Sequence, residues 1–146
     1  MTDPLNFTGK VTLVTGSSRG LGAEMIKAFG NRGAQCVVNY VFDAAGQNKS
    51  DAETVAQELK NPLVIECDVT NPEQVESMMK TIGDKFGGLD ILINNSGIIR
   101  DRTIKKLTPE DFEKRRAGKL NRHVQCHAES RRHFAQRFPD RESVIR

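Results

Sequence analysis

The chain has 146 residues, a formal net charge of +3 and 37% hydrophobic residues, enough for one domain with its own core. No apolar run approaches the ~20 residues of a membrane-spanning helix, and the opening "MTDPLNFTGK" lacks the basic-then-apolar pattern of a secretory leader, so membrane and secreted settings are not expected. The charge is uneven: residues 1–114 hold 13 Lys+Arg against 16 Asp+Glu, while residues 115–146 hold 9 against 3, which marks a boundary.

The first 114 residues alternate between two periodicities. "KVTLVTG" (10–16) is a short β-branched run that reads as a buried strand. "LGAEMIKAFGNRGA" follows, with Leu21, Met25, Ile26 and Phe29 at helical spacing and Gly33 as its stop. "QCVVNY" (35–40) is strand-like, 41–50 reads as a polar loop, and "DAETVAQELK" (51–60) as a helix. "PLVIECDV" (62–69) is a third strand. The next helix, 71–87, opens on Asn71 as cap with Pro72 first and Gln74 at the capping-box position. Its stripe, Val75, Met78, Met79, Ile82 and Phe86, makes the two methionines core filler. "LDILINNSG" (89–97) is a fourth strand ending in a polar turn. Strand–helix alternation of this kind predicts an α/β fold, a doubly wound parallel sheet of the Rossmann type with about four strands and helices on both faces. In such sheets ligands lie at the carboxyl ends of the strands, near the point where strand order reverses.

The turn "TGSSRGLG" (15–22) stands at that place, directly after the first strand and opening the first helix. Gly16 suits the sharp turn, Gly20 close approach of a pyrophosphate, and Gly22 tight packing of helix on sheet. The helix start offers unpaired N–H groups and the positive dipole end. Ser18, Arg19 and Leu21 complete the turn. An NAD site wants a carboxylate at the end of strand two, where this chain has Asn39 and Tyr40. That vacancy, with the cation of Arg19 able to face it, favours a 2′-phosphate and hence NADP(H) over NAD(H). Asp68 and Val69 follow strand three at the adenine end, and Asn94, Asn95, Ser96 and Gly97 follow strand four near the middle of the cofactor.

These segments resemble the short-chain dehydrogenase/reductase family. "TGSSRGLG" is similar to its T-G-x-x-x-G-x-G turn, "CDVT" to its adenine-side segment and "NNSG" to its N-N-A-G motif, with Ser96 in place of alanine. "GIIRD" and "TPEDFEK" look like β-ketoacyl-(acyl carrier protein) reductases, and the likeness covers residues 8–114. The resemblance implies hydride transfer between a nicotinamide and a carbonyl or alcohol, by a tyrosine acid/base, a lysine four residues later, a serine and a relay asparagine. It also implies a small-molecule or acyl-carrier substrate and a homotetramer in intact relatives; the composition leads us to expect no specific nucleic-acid partner and no membrane. A phenol near pKa ~10 needs such a lysine to work at neutral pH. Here Tyr40 is the only tyrosine, no Y-x-x-x-K exists, and no catalytic residue is assigned. The chain as written is expected to be inactive, and a non-catalytic nucleotide-binding or interaction remnant is the alternative.

The stretch from 108 starts as a helix, with Thr108 as cap, Pro109 first, Asp111 at the capping-box position and Phe112 beginning an apolar face. After Lys114 that face is lost. The family continues with V-x-x-V-N-L-x-G-x-F, whereas the chain reads "RRAGKLNRHV", and Asn121 stands two places late for the relay asparagine. Read from the second base of each codon, the codons from Arg115 allow V-V-Q-V-N-L-T-G-T-F. The pair Lys119–Leu120 permits only asparagine or serine at the critical place, and His123 only threonine or methionine. The hypothesis is a one-base shift near codon 115, in the gene or its recorded sequence, leaving 115–146 a basic tail without selected structure; the nucleotide sequence tests it. His123 and His127, four apart and near Cys126 and His133, would suit a metal, but in a shifted frame that spacing is accidental, and no metal is expected. The basic run has no aromatic interleaving for nucleic acid. Cys36 and Cys67, in apolar runs, read as buried reduced thiols of a cytoplasmic protein. A four-stranded sheet would leave the edge of "LDILIN" unpaired, so marginal stability and self-association are expected.

Overall fold

The structure, a computed structural model, describes residues 4–97 and the backbone of Val144–Ile145. Four parallel strands, β1 (Val11–Val14), β2 (Gln35–Tyr40), β3 (Leu63–Glu66) and β4 (Ile91–Ile93), alternate with three helices, α1 (Gly20–Gly30), α2 (Gln47–Gln57) and α3 (Pro72–Phe86). With a two-residue β5 (Val144–Ile145) the sheet runs β3-β2-β1-β4-β5. Among the described residues, no helix is long and apolar enough to cross a membrane.

Period-two alternation divides the strands between two cores. Val11, Leu13 and Val37 face α3, packing on Val75, Met78, Met79 and Ile82. Val14, Cys36 and Val38 face the other way, onto Ile26 of α1 and Ala52 and Val55 of α2. Both methionines of α3 are buried, so they do fill core, and α3 is capped as its sequence requires, with Asn71 accepting from the N–H groups of Glu73 and Gln74.

Several boundaries differ from expectation. α2 begins at Gln47, not at 51. Asp43 is the reason: its carboxylate accepts from the N–H of Gln47 at 3.0 Å and of Asn48 at 2.9 Å, so a stretch that read as loop carries its own cap. α1 ends at Gly30, and Gly33 (φ +90°) serves the turn beyond it. Leu21 was expected on the core stripe but is 71% exposed, while Gly22, Ala23 and Ile26 form the buried face of α1. The edge of β4 was expected to be unpaired; instead Ile91 and Leu92 pair in parallel with Val144 and Ile145. An open edge presents unmatched N–H and C=O groups, and a β-branched pair is well suited to take them. The expected helix at 108–114, the histidines, Cys126 and Asn121 lie outside the described residues.

Candidate nucleotide site

The strand order puts the reversal point at β1. From β1 the chain moves outward through β2 to β3, then returns to the other side of β1 as β4. The crevice above the carboxyl ends of β1 and β4 therefore receives the glycine turn from one side and residues 94–97 from the other.

Two amide side chains and two hydroxyls fasten the turn in place. Thr15 Oγ1 accepts from the N–H of Asn95 and of Ser96, each at 3.0 Å. The Asn95 amide donates to the carbonyls of Thr15 (3.1 Å) and Gly16 (3.3 Å). On the opposite side Asn39 Oδ1 accepts from the Gly16 N–H at 2.9 Å, and its Nδ2 donates to the Cys67 carbonyl at 3.1 Å. Ser17 Oγ accepts from the Asn39 N–H at 3.0 Å. The turn is thus tied to β4, β2 and the end of β3.

The three glycines have three different causes. Gly16 has φ +64°, and an added Cβ would come within 2.9 Å of Ser96 Oγ. Gly22 would place a Cβ 2.4 Å from the Gly16 carbonyl oxygen and 2.6 Å from Asn95 Nδ2, so it is what lets α1 sit against the turn. Gly20 has φ +57° with nothing within 4 Å of the added atom, so its surroundings are open. No side chain caps α1, whereas Asn71 caps α3 and Asp43 caps α2. An uncapped helix start, an open glycine and the reversal point coincide. These residues fit the pyrophosphate of a dinucleotide, which the first-turn N–H groups of α1 would hold.

The remaining predicted residues divide. Ser18 is nearly buried at 9%, and Arg19 and Leu21 are exposed at the mouth of the turn. Asn39, expected at the cofactor's ribose, is 1% exposed with its side chain committed to protein groups, so it positions the turn. Val69, expected at the adenine end, lies in the α3-side core. Asp68 is half-buried and accepts from Thr70 N–H (2.9 Å) and Oγ1 (2.7 Å), while Gln74 accepts from the Asp68 N–H. Asn94 and Ser96 are half-buried and Gly97 is exposed. Thr15 and Ser17 were not among the site residues singled out, and Asn95, expected near the middle of the cofactor, turns its amide onto the glycine turn instead. Their signal was the polar residues immediately flanking a glycine turn, which have nowhere to point but its backbone.

Tyr40 is buried at the end of β2, and burial first, with Glu66 beside it second, raises its phenol above the ordinary value. A general acid/base tyrosine needs the opposite shift. Among the described residues no group of three or more His, Cys, Asp or Glu could hold a metal ion. Arg19 Nη2 lies 2.9 Å from Asp51 Oδ2 and donates to Asn48 Oδ1, so the turn's one cation meets the first turn of α2.

The chain is similar to known proteins in sequence and fold. The family model described as short chain dehydrogenase matches residues 10–138. The chain is 38% identical over 108 residues to the 3-oxoacyl-(acyl-carrier-protein) reductase FabG of Vibrio cholerae, covering 74% of this chain and 42% of that protein. It is 38% identical over 118 residues to versicolorin reductase 1 of Aspergillus parasiticus, covering 78% and 43%. A short-chain dehydrogenase/reductase variant from Serratia marcescens superposes with a TM-score of 0.69 at 27% identity, over 88% of this chain and 52% of that one. A short-chain type dehydrogenase/reductase from Mycobacterium marinum gives 0.65 at 27%, over 91% and 51%. The chain thus spans less than half the length of these two curated relatives. With a glycine turn at the reversal point and a family match across most of its length, the chain belongs to the short-chain dehydrogenase/reductase family of oxidoreductases.

Proposed function

We propose that this chain is the nucleotide-binding part of an NADP(H)-dependent reductase acting on a carbonyl or alcohol, with 3-oxoacyl groups on an acyl carrier as the substrate class. The observation that carries the cofactor choice is the cation of Arg19 in the glycine turn, with Asn39 and Tyr40 at the end of β2 where a carboxylate would repel a 2′-phosphate. The substrate class follows from the likeness to the Vibrio cholerae enzyme. A bound NADP(H) would supply or take the hydride. The residues of this chain hold it: α1's first turn takes the pyrophosphate, Arg19 the 2′-phosphate, and residues 94–97 flank the central part. Reduced thiols at Cys36 and Cys67 accord with a cytoplasmic setting.

The test is calorimetric titration of the full chain with NADPH and with NADH. NADPH is expected to bind about ten-fold tighter, and Arg19→Ala to erase that difference while leaving NADH alone. Equal affinities in the unaltered chain would overturn the cofactor choice. A second reading, a nucleotide-binding remnant without catalysis, is favoured by one fact: the only tyrosine, Tyr40, is buried with its phenol shifted the wrong way.

A further inference from the structure

Arg19 does not stand alone. Its guanidinium is 2.9 Å from Asp51 Oδ2 and donates to Asn48 Oδ1. Both partners are fixed by other contacts. Gln47 Nε2 donates to Asp51 Oδ1 at 2.6 Å, and Asn48 Nδ2 donates to the Val41 carbonyl at 3.0 Å. Asp43, capping the same helix start, fixes the first turn of α2, which carries Gln47 and Asn48 with Asp51 one turn on. A carboxylate therefore already occupies one side of the cation.

We infer that Asp51 is a specificity-determining residue: an internal counter-ion that competes with the 2′-phosphate for Arg19 and lowers the preference for the phosphorylated cofactor. The inference rests on the NADP(H) reading of the site. The physics is that of like charges sharing one cation. A dianionic phosphate arriving at Arg19 meets Asp51 at ion-pair distance from the same guanidinium, so it must displace that carboxylate or sit beside it. A ribose without the phosphate brings no charge and leaves the pair intact. Asp51 thus acts on one cofactor and not on the other, although it lies on α2 and outside the glycine turn. Exposure limits the effect, since the side chains of Arg19 and Asp51 keep 56% and 28% of their surface in solvent. The expected factor is about five-fold, the range of an exposed ion pair.

The experiment isolates the adenosine end. The full chain is titrated with adenosine 2′,5′-bisphosphate and with 5′-AMP, as unaltered protein, Asp51→Asn, Asn48→Asp and Arg19→Ala, with thermal denaturation as the check on folding. Asp51→Asn should tighten the bisphosphate about five-fold and leave 5′-AMP unchanged. Asn48→Asp, which adds a second carboxylate at the cation, should weaken the bisphosphate by a similar factor. If Arg19→Ala removes a preference for the bisphosphate but Asp51→Asn leaves it unchanged or reduces it, the NADP(H) reading stands and the competition is overturned. If neither the unaltered chain nor Arg19→Ala distinguishes the two nucleotides, the NADP(H) reading has failed, and the inference with it.

Discussion

Gly22 shows how a single hydrogen can decide a site. The atom a side chain would add there meets the Gly16 carbonyl oxygen at 2.4 Å and the Asn95 amide at 2.6 Å, and both belong to the fastening of the turn. Gly22→Ala must push α1 away from β1 or break the Asn95 bonds. It should cost about 2–3 kcal/mol of stability and at least ~10-fold in nucleotide affinity, as overpacked sites do. Gly20→Ala has open space around it and faces only the left-handed backbone, so about 1–2 kcal/mol is expected. Thermal denaturation and calorimetry on the two variants check this, and an equal effect would refute the packing argument. The identity of these glycines was legible in the sequence because their spacing after a strand has one purpose. The direction of Asn39 was not. A polar residue ending a strand can face the ligand or turn inward, and only the positions of the Gly16 N–H and the Cys67 carbonyl decide it. Asn95 was placed near the middle of the cofactor for the same reason: its role in holding the turn depends on a β1–β4 approach between residues 80 apart in the chain.

At the scale of elements, α2 carries the clearest lesson. Residues 41–50 looked like loop because they are polar and without an apolar stripe, yet Asp43 starts a helix there. Capping is a local side-chain event, so it starts helices that hydrophobic periodicity does not see. Asp43→Ala should cost about 1 kcal/mol and loosen the first turn of α2, with Asn48 on it and Asp51 one turn on. Hydrogen exchange at the amides of Gln47 and Asn48 should accelerate while those of α3 do not change. Unchanged exchange would mean that Asp43 is incidental and that Gln47–Asp51 contacts hold the turn. The strands were the most legible elements, since continuous β-branched runs between short polar turns fit buried parallel strands and little else. The β5 pairing was not legible, because two residues carry no periodicity and their place depends on an edge supplied by β4.

For the whole molecule the question is whether the nucleotide site is joined to a catalyst. The described residues build a candidate nucleotide site at the reversal point, and the 146 residues contain a single tyrosine, which is buried at the end of β2. Residue composition changes abruptly after Lys114, while the family match runs on to residue 138. We propose that a one-base shift near codon 115 underlies the charge step, the lost apolar face after Phe112, and an asparagine that comes into register only in the neighbouring frame. The two frames predict different chemistry. The 146-residue chain should bind NADPH only weakly, since the nicotinamide half of the site is missing, and give no oxidation of it with a 3-oxoacyl thioester. The gene with one base restored near codon 115 should read on to a Y-x-x-x-K and oxidise NADPH in proportion to substrate. Changing that restored tyrosine to phenylalanine should lower turnover at least ~100-fold, the scale of a lost general acid. Stop codons soon after the restored base, or turnover by the 146-residue chain itself, would exclude the shifted frame and make the tail this protein's own.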